Sequence, residues 1–150
     1  MLPTRKALVV ALGNPLTVED SFGPKVLERI RSAPALPDVD LLDAHTDLLG
    51  HIDRFPSYPL VILVDVLLDP SAPGTVVTVD EPTLLSFSDE APSIHQISPV
   101  MALRLFRQLH ADAPTRIALV AYRVREVSFS GSLDEAVIAQ AAREVLRLLE

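Results

Sequence analysis

Leu60-Val61-Ile62-Leu63-Val64-Asp65 is the stretch that decides the fold. A short, continuous run of branched apolar residues is how a strand buried on both faces reads, and such strands belong to mostly parallel sheets. Ala7-Leu8-Val9-Val10-Ala11-Leu12 has the same character and is broken by Gly13-Asn14-Pro15. Strands of this kind, alternating with helices, imply a sheet covered on both sides. Asp65 stands directly behind the apolar run, where a carboxylate is costly to bury without a partner. It either caps nearby backbone N–H groups or belongs to a site.

Working outward, a helix begins near Gly23-Pro24, with proline in the first turn where its missing N–H does no harm. Val26, Leu27 and Ile30 form its apolar face. Val39 to Leu42 reads as a second strand, and a short helix or turn follows around Asp47 to Phe55. Pro73-Gly74 is a turn ahead of a strand over Thr75 to Val79. Residues 81–97 show little periodicity and read as a long loop. Ser98-Pro99 starts a helix with Ala102, Leu103, Phe106 and Leu109 on its apolar face. Ile117 to Tyr122 is a fifth strand. Ser132-Leu133-Asp134-Glu135 matches a capping box before a last helix that buries Val137, Ile138, Ala141, Val145 and Leu148. The reading is one α/β domain over residues 1–150: three layers, α/β/α, around a mostly parallel twisted sheet of about five strands.

Length and composition agree. With 150 residues the chain has the size of one ordinary domain, in which roughly two-thirds of the unfolded surface is buried. Cysteine is absent, which removes disulfides, thiolate zinc sites and cysteine nucleophiles and fits a reducing cytoplasm. A formal net charge of −7 makes nucleic acid a poor partner. No apolar run approaches the roughly 20 residues of a membrane helix. Arg5 and Lys6 before the first apolar run faintly resemble a signal peptide, but the run is short and no small-x-small cleavage site follows, so it reads as a core strand.

Open parallel sheets bind ligands beyond the carboxyl ends of their strands, and in the common 2-1-3-4-5 order the crevice opens between strands one and three. Chemistry is therefore expected just after Leu12 and just after Val64. Glu19-Asp20 follows the first strand and Asp65 the third. His95 lies shortly before the Ser98-Pro99 helix start. Two carboxylates and an imidazole suit a divalent transition metal such as nickel, zinc or iron. Taken alone, Glu19-Asp20 also fits a helix entry favoured by the macrodipole, and His51 and His110 read as surface residues. No Gly-x-Ser-x-Gly elbow, Walker loop, Gly-x-Gly-x-x-Gly or His-Glu-x-x-His is present.

Gly13-Asn14-Pro15-Leu16 followed by Glu19-Asp20 and Phe22-Gly23 resembles the N-terminal signature of the nickel–iron hydrogenase maturation endopeptidases. Asp65 with Ala72-Pro73-Gly74-Thr75, and Ser93-Ile94-His95-Gln96, resemble that family's second and third segments. The resemblance runs over about residues 7–149. It implies an endopeptidase that removes a C-terminal extension from a hydrogenase large-subunit precursor once nickel, supplied by the precursor, is in place. It also implies metal contacts at Asp20, Asp65 and His95, with Glu19 standing beside Asp20 as the alternative carboxylate.

This chain departs from the family pattern at three places. Ala11 stands where a further glycine is usual. Asp43-Ala44-His45-Thr46 replaces Asp-Gly-Gly-Thr. Ala121-Tyr122-Arg123-Val124-Arg125-Glu126 stands where a Pro-Glu pair is common. His45 adds an imidazole near the same edge of the sheet, to contact substrate or metal or simply to face solvent. The departures leave a second reading, a non-proteolytic accessory that checks nickel in the precursor. A third, a magnesium-dependent phosphoesterase using Asp20 and Asp65, lacks a phosphate-binding loop.

Overall fold

The computed structural model describes residues 5–34, 36–87, 99–126, 128 and 131–150. The strands are β1 (Ala7–Leu12), β2 (Val39–His45), β3 (Leu60–Leu68), β4 (Val76–Asp80) and β5 (Arg116–Val124). The helices are α1 (Phe22–Arg31), α2 (Glu81–Leu85), α3 (Pro99–Leu109) and α4 (Glu135–Leu148). Glu19–Ser21 and Leu49–Ser57 are 3-10 segments.

The strands form one sheet in the order β2-β1-β3-β5-β4. All pairs are parallel except β4 with β5. The 2-1-3-4-5 order is thus corrected at its far edge. Asp69 to Thr75, between β3 and β4, are too few residues for a parallel crossover, which needs about a dozen. β4 therefore runs antiparallel at the rim, and β5 takes the place beside β3. The β1–β3 junction on which the crevice depends is as expected.

Period-two alternation sends side chains to two separate cores. Leu8, Val10 and Leu12 join Val61, Leu63, Leu119, Leu103 and Phe106 on the α3 face. Ala7, Val9 and Ala11 join Ile62, Val64, Val120, Phe22, Val26, Ile138 and Val145 on the face of α1 and α4. Every residue of β1 is buried, as a central strand packed on both sides requires. Helices on both faces make the three layers.

Several local readings change. The stretch from residue 81 is not a loop at its start. Asp80 caps α2, its Oδ1 accepting the Thr83 N–H at 3.0 Å. α4 is capped by Asp134, which accepts from Ala136 N–H at 2.9 Å, so the Ser132 capping box does not form. Leu109 is 60% exposed because α3 ends there. Val137 and Leu148 are half-buried, and Leu149 takes the deeper place. Residues 88–98, including the Ser98 cap and His95, lie outside the described residues.

Candidate active site

β1 stops at Leu12, whereas β3 continues to Leu68. The β1–β3 ladder ends at Ala11 opposite Val64. Asp65 is therefore within β3 rather than behind it, one residue past the last β1–β3 pair. It is buried, at 2% exposure. Alternation turns it to the face shared by Leu63 and Leu67, the α3 side. On the other side β5 continues the ladder, with Ala121 opposite Asp65. One oxygen of Asp65 accepts the Val66 N–H at 2.8 Å.

The chain leaving β1 folds back over the end of its own strand. Gly13 has φ of +143°, and a Cβ there would lie 2.0 Å from the carbonyl oxygen of Asp20. Only glycine permits that approach. The Asn14 N–H then donates to Asp20 Oδ2 at 2.6 Å. Asn14 Oδ1 accepts the Leu16 N–H at 2.9 Å, fixing a tight Asx turn. Asp20 is buried at 4% exposure, in the 3-10 turn that feeds directly into α1.

Gly23 sets the start of α1 close against the ends of both central strands. A Cβ on it would meet the Leu12 carbonyl oxygen at 2.2 Å and the Val64 carbonyl oxygen at 2.9 Å. The start of α1 therefore lies across the ends of both central strands, three residues after Asp20 and against the residue before Asp65. Of the two expected places, the one after Leu12 holds Asp20 in the turn that follows β1, and the one after Val64 holds Asp65, within β3.

Glu19 is used differently from its neighbour. Its carboxylate accepts the Ser128 N–H at 2.7 Å and the Ser128 hydroxyl at 2.8 Å, while the Val18 N–H donates to Ser128 O at 2.8 Å. These bonds clamp the loop after β1 to the chain after β5. Ser128 had no signature in the sequence, since it is 109 residues from Glu19. Ser128→Ala is expected to lower stability by about 1 kcal/mol, since a hydroxyl bond to a charged group is lost. That is a fall of about 2–4 °C in Tm by thermal unfolding; an unchanged Tm would show the clamp to be idle.

Tyr122, at the carboxyl end of β5, stacks against Phe22 with ring centroids 5.4 Å apart. Burial, then the negative charges of Glu19 and Asp134, raise its pKa, so its hydroxyl is a neutral donor beside the clamp. His45 closes the carboxyl end of β2, opposite Leu12 after a bulge. His110 packs on Phe106 and faces Asp53 at 3.4 Å, away from the crevice.

Among the described residues no three His, Asp or Glu side chains are gathered to hold a metal ion, and His95 lies outside them. A hollow of about 340 Å³ adjoins the loop after β1, lined by Pro15, Leu16, Val18, Ser21, Pro24 and Lys25. Larger hollows of about 680 Å³ lie between α1 and α4 and beside β4. None of the three is lined by Asp20 or Asp65. No helix among the described residues is long and apolar enough to cross a membrane.

Residues 24–150 match a family model described as hydrogenase maturation protease. The chain is 31% identical over 152 residues to the hydrogenase expression/formation protein HupD of Rhodobacter capsulatus, covering 93% of this chain and 71% of that protein. It is 29% identical over 138 residues to HupM of Azotobacter chroococcum mcd 1, covering 89% of this chain and 65% of that one. The hydrogenase maturating endopeptidase HybD from E. coli has the same fold, with a TM-score of 0.80 at 24% identity over 96% of this chain and 91% of that one. So does the [NiFe] hydrogenase maturation protease HycI from Thermococcus kodakarensis KOD1, with a TM-score of 0.74 at 20% identity over 97% and 90%.

Proposed function

The chain belongs to the hydrogenase maturation protease family, and from that membership we propose that it removes a C-terminal extension from a nickel-loaded hydrogenase large-subunit precursor. The observation that supports this reading is the burial of two carboxylates, Asp20 just after β1 and Asp65 within β3 where its ladder with β1 ends. Buried carboxylates are paired or coordinate metals, and a metal-bearing substrate is a partner of the kind they hold.

Nickel is part of the substrate in this reading. The donor set fits it: carboxylate oxygens from Asp20 and Asp65, with an imidazole from His95 by the resemblance, suit a divalent transition metal. When bound, the ion draws electron density from an adjoining carbonyl. The chain's own residues do the rest. Asp20 and Asp65 hold the metal-bearing end of the precursor so that one peptide bond lies in the crevice, and such positioning supplies several kcal/mol of the barrier, at most about 7–11. A carboxylate takes a proton from water as the water oxygen bonds to the carbonyl carbon, and gives it to the departing nitrogen as the C–N bond breaks. The lack of cysteine supports a reducing compartment, the cytoplasm, as its place of action.

The test is the intact mass of the nickel-loaded cognate precursor before and after incubation, with nickel-free precursor as control. Loss of a C-terminal peptide from the loaded sample alone is the expected result. A stable complex with no mass change would favour the non-proteolytic nickel-checking accessory instead.

A further inference from the structure

Among the described residues His45 is the one non-glycine with positive φ, at 56°. A left-handed backbone is strained for a residue bearing a Cβ, and glycine would carry no such strain. The imidazole returns nothing to the core, since its side chain is 73% exposed. A strained residue with no packing role is a sign of function.

Its support is rigid and lies beside the crevice. His45 pairs with Leu12 after the bulge in the β1–β2 ladder. Its carbonyl accepts the Gly13 N–H at 2.6 Å, and Gly13 is packed against Asp20. Asp43 Oδ1 accepts the His45 N–H at 3.0 Å and stands 3.6 Å from ring Nδ1. One carboxylate therefore sits by both the backbone and the ring, leaving Nε2 for an outside partner.

That partner is not a metal shared with the two buried carboxylates, because His45 is not gathered with Asp20 and Asp65 into a three-residue cluster. The side chain that stands against it, Asp43, is a carboxylate acceptor. Ionised carboxylates cannot donate a hydrogen bond, whereas an imidazole N–H can. What this rim offers through His45 is a donor for an oxygen.

We propose that His45 is a specificity-determining contact: it donates a hydrogen bond to a main-chain carbonyl or carboxylate oxygen of the precursor's C-terminal segment, with Asp43 orienting it. This rests on the endopeptidase reading, and the experiment separates the two. Wild type, His45→Gly and His45→Asn are compared for kcat and KM on nickel-loaded precursor, for precursor affinity by calorimetry, and for Tm. His45→Gly is expected to raise KM about tenfold, the worth of one hydrogen bond, with kcat nearly unchanged. Its Tm stays level or rises as the strain is relieved. His45→Asn, which tolerates the left-handed backbone and keeps an N–H donor, recovers part of the loss.

A His45→Gly enzyme with wild-type KM and kcat overturns the proposal. So does loss of Ni²⁺ binding when nickel chloride is titrated into the free variant, which would make His45 a ligand. If the wild type cuts nothing, the endopeptidase reading fails. His45 is then judged by precursor affinity, where equal Kd for wild type and His45→Gly overturns the proposal.

Discussion

Asp65→Asn is expected to slow processing of the nickel-loaded precursor by at least about 100-fold, the scale of effect that follows when a reacting group is misplaced by an ångström. The substitution removes the charge and little else. Asparagine has the same shape, and its side-chain oxygen can still accept the Val66 N–H that Asp65 Oδ1 takes at 2.8 Å. Asp65 is 2% exposed, between Val64 and Val66 on a central strand. Neutralising a buried carboxylate removes a desolvation cost, which offsets the interactions lost with the charge. Tm should accordingly stay within about 3 °C of wild type, the shift produced by roughly 1 kcal/mol in a domain of this size. Intact-mass kinetics and thermal unfolding on the same preparation decide the matter. A variant that melts much earlier assigns Asp65 to the fold, and one that cuts at the wild-type rate removes it from the chemistry.

Gly23→Ala is expected to have the largest effect on stability. The new Cβ would lie 2.2 Å from the Leu12 carbonyl oxygen, 2.9 Å from that of Val64 and 3.1 Å from the Leu12 nitrogen. All three are backbone atoms of the two central strands and cannot turn aside as a flexible side chain would. The relief left is to lift α1, whose Phe22, Val26, Leu27 and Ile30 are buried against the sheet. Overpacking of this kind costs about 3 kcal/mol or more when the neighbour cannot yield, a fall of roughly 6–12 °C in Tm. Processing should drop as well, measured where the variant is still folded, because Asp20 rides on the turn that leads into α1. A Tm within about 2 °C of wild type would mean that the helix entry adapts freely.

How much of this was legible in the sequence depended on whether a feature is set by neighbours along the chain or across it. The apolar runs at 7–12 and 60–64 announce β1 and β3 because central strands need continuous burial. From those strands, the junction rule points to the segments after Leu12 and Val64, where Asp20 and Asp65 stand. The capping of α2 by Asp80 was a local signal that went unread: Asp80-Glu81-Pro82-Thr83 carries an N-cap and an early proline. Ser132 and Asp134 both precede α4 and both can cap, and which one does so is settled by how the helix docks. The Glu19–Ser128 clamp and the left-handed His45 depend on contacts between distant segments and leave no mark on spacing or hydropathy. The antiparallel β4 is intermediate, since only the short Asp69–Thr75 link argued against a parallel crossover.

The place of β5 between β3 and β4 also bears on how the molecule is made. During synthesis the chain emerges in the order β3, β4, β5, so β4 leaves the ribosome with no ladder to join. Until residues 116–124 follow, β3 presents an open apolar edge, the kind of strand that pairs with other chains. The sheet is therefore closed out of chain order, by the insertion of a late strand between two earlier ones. The floor beneath Asp65, and the Ser128 clamp beyond it, are finished only when most of the protein has been translated. A nascent chain stopped before β5 holds Asp20 and Asp65 but neither the strand that pairs with β3 nor the Ser128 that clamps Glu19.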